Sequence, residues 1–380
     1  MASSSLSERP CLPFDLVEEI LCRVPIESLT RFQLTCKRWF ALFKDKRFIY
    51  KHLAFVQQQQ FIRFSFLVDT INHENESIKP MPPTLIVQGR VETSVTAHCD
   101  GLLLCGFDLG KLLIWNPYLK QVKWIRPMNP YSYDYYYAIG YDFSRDDDYK
   151  ILRFYDGHDY EGKYHWPNDP EVEIYNFKSS LWKTLEFSWD WYVFKPYRGV
   201  SLNGNTYWIA EKNHDSNLFI QCFDFSVEKF EPVCSLPLTF GVSDFIALSD
   251  FRGDQLSLLH QRKETMEVEI WITSKIKNGG VVSWTKLFNV MRPNLPVLHA
   301  STYICDLDDP VYFIDKNNRI VVCCEELLED ERYVCASVYV IGEDRLENTI
   351  KVQNHRNRGG PHWPFICSYA HRPSLVPVPK

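Results

Sequence analysis

Few residues in this 380-residue sequence have types and spacing suited to chemistry. The densest metal-ligand candidates are His98 and Cys99 with Cys105, and the adjacent Cys323 and Cys324. A structural zinc site draws on paired ligands at C-x-x-C-like spacing, which lets two thiolates meet one ion. No C-x-x-C occurs, so buried strand cysteines are expected, with no metal and no cofactor. Arg145-Asp146-Asp147-Asp148-Tyr149-Lys150 sets three carboxylates in a row. Successive strand or turn residues diverge, whereas an acid–base pair must converge on one bond, so a charged turn that keeps a sheet edge soluble is expected. G-x-S-x-G, H-E-x-x-H, a P-loop and a strand-borne G-x-G-x-x-G are absent, and no catalytic residue is assigned.

Recognition chemistry has better candidates. Tyr131, Tyr133, Tyr135 and Tyr136 precede the IGYD stretch, and Trp166, Trp189 and Trp191 stand in long polar segments. Aromatic rings bury much area at small entropy cost, so Tyr133, Tyr135, Tyr136, Trp166, Trp189 and Trp191 are candidates for binding a protein partner. The competing reading has these rings capping sheets. The net charge of −6 disfavours nucleic acid, whose phosphates need a basic surface. His355-Arg356-Asn357-Arg358 reads as solvated basic surface. The first ten residues lack an apolar h-region and no run is long enough to span a membrane, so neither secretion nor a membrane partner is expected. The 12 cysteines are then expected to stay reduced, in cytoplasm and/or nucleus.

The elements that position these residues differ sharply along the chain. Leu12 to Leu53 reads as three short helices. Pro13 suits a helix start, and Asp15, Glu18 and Glu19 favour the positive end of its dipole. Leu16, Val17, Ile20, Leu21 and Val24 keep helical spacing until Pro25 stops the helix. A second helix is expected from Ile26 to Leu34, and a third carrying Trp39, Phe40, Leu42, Phe43, Phe48, Ile49 and Leu53. Forty-odd residues rarely hold a core alone, and the surplus apolar surface predicts a helical partner.

From His98 onward, short strands recur between turns such as Asn203-Gly204, Gly253-Asp254 and Asp315–Arg319. A hairpin repeats: Trp115, Tyr175, Phe223 and Trp271 end one strand, and Trp124, Trp182, Phe230 and Trp284 mark the next. A period near fifty with about four strands per unit predicts β-propeller blades, kelch-like but without the kelch double glycine, with a twisted β-sandwich or open solenoid as the alternative. Five units are counted, and six if Phe61–Val95 pairs with Val338–Ile350 or with Ser368–Val378. The fold class expected is mainly β with a small N-terminal α module. The domains expected are a tail (1–8), the helical module (9–53), a linker with first strands (54–97), the β domain (98–350) and a closing segment (351–380).

Two stretches carry a family resemblance. L-P-x-D-L-x-x-E-I-L-x-R-x-P-x-x-S-L from Leu12, followed by Arg31-Phe32 and by Cys36-Lys37-x-Trp39, resembles the F-box. The blocks CDGLLLC, IWNP, IGYDFSRDDDYKILR, VEIYNFKSSLWKTL, GVSLNGNTYWIA, FDFSVEKF, IWIT and VSWTKLF, ending in SYAHRPSLVPV, resemble in their order the plant F-box-associated domain. The F-box resemblance implies docking on a Skp-type adaptor, and through it on a cullin scaffold, in an SCF ubiquitin ligase. Carried over by position, Leu12, Pro13, Leu16, Ile20, Leu21, Val24, Pro25 and Leu29 would face the adaptor, joined by Cys36, Lys37 and Trp39. Thr30 and Thr35 depart from the apolar pattern. The second resemblance implies target recruitment for ubiquitination by the β domain. The function expected is a non-catalytic substrate receptor, and the alternative is an adaptor-binding scaffold or competitor outside ligation.

Overall fold

The computed structural model describes residues 12–56, 61–64, 69–72, 77–80, 93–107, 111–128, 135–142, 148–155, 172–194, 198–212, 215–241, 244–276, 281–291, 297–298, 310–327, 333–343, 345–356 and 368–380. Four helices come first: α1 (Phe14–Cys22), α2 (Ile26–Phe32), α3 (Lys37–Leu42) and α4 (Lys46–Val56). Every later element of the described chain is a strand.

The expected third helix is two helices. The chain turns at Phe43–Asp45, where the carboxylate of Asp45 accepts from the Arg47 and Phe48 amides at 2.8 and 3.3 Å. An acidic residue capping free amides starts a new helix, so Asp45 breaks a run that hydrophobic spacing alone would continue. Pro25 also does more than end α1. Its carbonyl accepts from the Ser28 and Leu29 amides, so it opens α2.

Five antiparallel sheets form from consecutive strands: residues 93–125, 136–185, 191–235, 245–290 and 311–356. Four hold four strands each. The third holds five, because Trp191–Val193 and Val200–Leu202 both pair with Asn205–Lys212. A further sheet joins the two ends of the β region: Phe61–Phe64 pairs with Ser368–His371, and Asp69–Asn72 and Ser77–Pro80 follow outward. Ile62 lies opposite Ala370 and Arg63 opposite Tyr369. The closing partner is thus the last strand, and Val338–Ile350 belongs instead to the fifth sheet. Two expected boundaries fall inside strands, 97/98 within Thr93–Cys99 and 350/351 within Leu346–Arg356.

Inner strands of neighbouring sheets contact one another around an axis, as in a β-propeller. Each inner strand is covered by sheets on both sides. Phe245–Phe251 is accordingly buried at every position, while the outermost Leu181–Leu185 and Lys229–Ser235 have no buried residue. The inner strands of the first, third and fourth sheets end at one face, where Gly101, Asn203 and Gly253 of their first turns line a common cavity. Asp100-Gly101, Asn203-Gly204 and Arg252-Gly253 make those turns with positive φ at both residues, the geometry that links two twisted strands in two residues.

The outer hairpins repeat a second device. Asn116, Asn176 and Asp224 each turn a side-chain oxygen onto backbone amides two or three residues on. Lys120, Ser180 and Glu228 then adopt left-handed φ before the return strand. One core joins helices and propeller: Leu21, Ile26, Leu29, Phe48 and Leu53 share a buried cluster with Leu102, Ile114, Ile139, Tyr141, Leu375 and Val376.

Candidate functional site

The N-terminal helices present an apolar stripe. Pro13 opens α1 with its carbonyl accepting from the Leu16 and Val17 amides. Leu12, Leu16 and Ile20 then recur every four residues and stand 57%, 51% and 53% exposed. Three branched side chains on one face, half in water, are too many for a helix otherwise docked on a core. Pro13, Pro25, Cys36 and Lys37 are exposed too, and Val24 and Trp39 are half-buried.

Leu21 and Leu29 do not join this surface. At 3% and 0% exposure they point into the chain's own core: Leu21, one position beyond Ile20, turns to the inward face of α1, and Leu29 lies on the inward face of the separate helix α2. Two exposed residues that the spacing did not nominate flank the same module, Leu34 at 84% and Phe40 at 44%. The run Thr35-Cys36-Lys37-Arg38-Trp39 separates them, and only the break between α2 and α3 reveals that both face out.

The stripe is held rigidly from behind. Glu18, buried on the reverse of α1, accepts from Arg47 and Lys51 of α4 at 3.0 and 3.2 Å. Lys51 also reaches Glu19 at 2.6 Å, and that hydrogen bond holds the Glu19 carboxyl below its ordinary range. Cys36 is the N-cap of α3, with its Sγ accepting from the Trp39 amide at 3.4 Å. Trp39 stacks at a tilt on Phe32, 5.6 Å between centroids. The Arg38 guanidinium lies 3.7 Å over the Phe14 ring, which brings the start of α3 beside the start of α1.

The aromatic candidates of the β domain divide. Tyr131, Tyr133 and Trp166 lie outside the described residues. Trp191 is buried, and Tyr136 and Trp189 are half-buried against Phe154 in the core between the second and third sheets. Trp189 and Trp191 lie 5.0 Å apart, and both abut Phe230. These rings fill the space between blades, so Trp191 is not available to a partner. Tyr135 lies under the Arg153 guanidinium, 3.8 Å from its centroid, and Arg153 forms a fully buried ion pair with Glu173 at 2.8 Å. Alternation hid this, because an aromatic-rich segment between strands reads alike whether its rings cap a core or face water.

Burial shifts several titratable groups toward their neutral forms. Burial raises the Cys22, Cys99 and Cys222 thiols above their usual range, and pushes Cys234 up to about 11. Such thiols stay protonated at neutral pH, the opposite of what a nucleophile needs. Desolvation drives His98 down to about 4, with Arg372 and Arg198 reinforcing it. Among the described residues, no three His, Cys, Asp or Glu side chains converge as a metal would require. Asp148, from the acidic run, takes an Asn176 amide at 3.1 Å and Lys178 at 3.6 Å, while Asp146 and Asp147 lie outside the described residues.

On the face carrying the first turns, α4 covers the axis. Tyr50, Leu53 and Ala54 line a cavity of about 240 Å³ with Gly101, Tyr141, Asn203, Asp250 and Arg372. Helices therefore occupy one mouth of the propeller, with their apolar stripe on the side away from the core.

Comparison with known proteins decides what this pairing is. Residues 10–51 match the F-box domain, and residues 53–378 match the F-box associated beta propeller domain. The chain is an F-box protein with an F-box-associated propeller. This F-box protein is 50% identical over 385 residues to F-box/WD-40 repeat-containing protein 1 of Arabidopsis thaliana, a match covering 100% of this chain and 92% of that one. It is 38% identical over 393 residues to the Arabidopsis thaliana F-box protein At3g08750, with full coverage of both.

Proposed function

We propose that this F-box protein is a non-catalytic substrate receptor of an SCF-type ubiquitin ligase. The F-box docks on a Skp-type adaptor, the adaptor links it to a cullin, and the propeller holds a target protein close to the ubiquitin-charged partner. The setting is the cytoplasm or nucleus. Proximity is the whole contribution: tethering raises the target's effective concentration at the transfer centre, and no bond is made by this chain.

The observation that carries the reading is the exposed Leu12, Leu16 and Ile20 stripe within a matched F-box. Burying such side chains against partner helices is the ordinary driving force of a helix-in-groove interface. Because α4 covers the mouth that carries the first turns, the opposite face, with the connections between sheets, is where a target would be held.

The test is titration of purified adaptor against the intact chain and Leu16→Asp/Ile20→Asp. The expected result is specific binding by the intact chain and a loss of at least about a hundredfold in the variant, as central apolar anchors give. No binding by a folded intact chain contradicts the proposal.

A further inference from the structure

We infer that the C-terminal segment is the folding support of the adaptor-docking helices, so that completion of the propeller gates adaptor docking. This rests on the receptor reading for the identity of the partner, while the support itself is read from the chain alone.

The helices emerge first in the chain but cannot hold a core by themselves. Forty residues of helix bury too little surface, and Leu21, Cys22, Ile26, Leu29, Phe43, Phe48, Ile49 and Leu53 complete theirs in one cluster with propeller residues. The last part of that cluster comes from the far end of the chain. Ser368–His371 pairs with Phe61–Phe64, the strand that follows α4 after a short connection. Beyond it, residues 372–378 run across the face that α4 covers. Asn116 Nδ2, fully buried, donates to the Ser374 and Val376 carbonyls at 3.0 and 2.7 Å. The Val378 amide donates to Gln121 Oε1 at 3.0 Å. Leu375 and Val376, 4% and 2% exposed, enter the shared core.

The fit tolerates no slack. A Cβ at Gly101 would meet Ser374 Cβ at 2.3 Å and the Arg372 carbonyl at 2.6 Å. Arg372 itself pairs with Asp250 of the fourth sheet, beside the cavity under α4. A chain lacking its final residues therefore leaves the F-box core open on one side. Opening lowers the fraction of docking-competent helices and weakens the apparent adaptor affinity by that fraction. Incomplete receptors are in this way kept from the adaptor, although no residue of the segment lies on the Leu12–Ile20 stripe.

The experiment measures amide hydrogen exchange and adaptor binding on the full chain, on Val376→Asp and on the milder Asn116→Ala. The amides of Val268–Thr273, a strand of the fourth sheet that does not carry the Asp250 partner of Arg372, serve as the internal reference. Support by the segment predicts exchange in α1 to α4 faster by about tenfold or more in Val376→Asp, less in Asn116→Ala, with reference amides unchanged and adaptor affinity falling in parallel. Leu16→Asp must abolish adaptor binding with α1–α4 exchange unchanged. Unchanged exchange in the helices, or equal acceleration in helices and reference, overturns the inference. An unmodified chain that does not bind adaptor defeats the receptor reading instead, and the exchange data still judge the support.

Discussion

At the scale of single residues, polar groups inside the propeller are stabilising only as complete sets. Arg153 and Glu173 are 1% and 2% exposed and meet at 2.8 Å. Removing one partner strands the other's charge, so Glu173→Ala is expected to cost roughly 3–5 kcal/mol, whereas Arg153→Met/Glu173→Leu costs far less. Urea midpoints of the three proteins check this. In the fourth sheet, buried His260 lies between Asp244 at 3.0 Å and Glu269 at 3.4 Å. Burial alone would raise the Asp244 carboxyl, but the His260 hydrogen bond and the Gly241 and Lys263 amides outweigh it and hold it low. For Glu269, burial is likewise outweighed by Lys286 and His260. A carboxylate held low in the folded state contributes stability that is full above its ordinary value and is lost as pH falls through its folded value. Melting temperature should therefore fall on acidification below about pH 4.5, and fall less in Asp244→Asn/Glu269→Gln, when both are followed calorimetrically. An equal slope in both proteins contradicts this assignment.

At the scale of elements, turns and hairpins were legible because their chemistry is local. Asn203-Gly204 announces positive φ, and of the four repeated aromatic hairpins Tyr175 lies opposite Trp182 and Phe223 opposite Phe230, whereas Trp115 faces Val122 and Trp271 faces Lys286. Contacts between sheets were not legible. Gly140 gave no signal in the sequence, yet the strand that holds it passes against the Asn203-Gly204 turn, with the Tyr141 amide donating to the Gly204 carbonyl at 2.9 Å. A Cβ at Gly140 would meet that carbonyl at 2.2 Å and the Phe225 ring at 2.3 Å. Backbone cannot yield as a flexible side chain can, so Gly140→Ala is expected to cost at least the ~1–3 kcal/mol of an overpacked core, measurable as a lowered melting temperature. The same limit explains the docking helices. Periodicity marked Leu16 and Ile20 as well as Leu21 and Leu29, but only the presence of α4 and the propeller beneath them decides which face is buried.

At the scale of the whole molecule, the strand repeat foretold blades, and the ring closes through a pairing of residues more than three hundred positions apart. No local pattern specifies such a partner. It follows from the need to cover two sheet edges at once. Next to that closing strand, Leu375 and Val376 enter the buried cluster that the F-box helices share with the propeller. The direct test of the receptor account is assembly: purified chain, Skp-type adaptor and cullin mixed at equal concentration and weighed by light scattering after size-exclusion chromatography. The account predicts one species with the summed mass of all three, lost in Leu16→Asp/Ile20→Asp. A stable pair of chain and adaptor that excludes the cullin contradicts it, and makes this protein an adaptor-binding scaffold outside ligation.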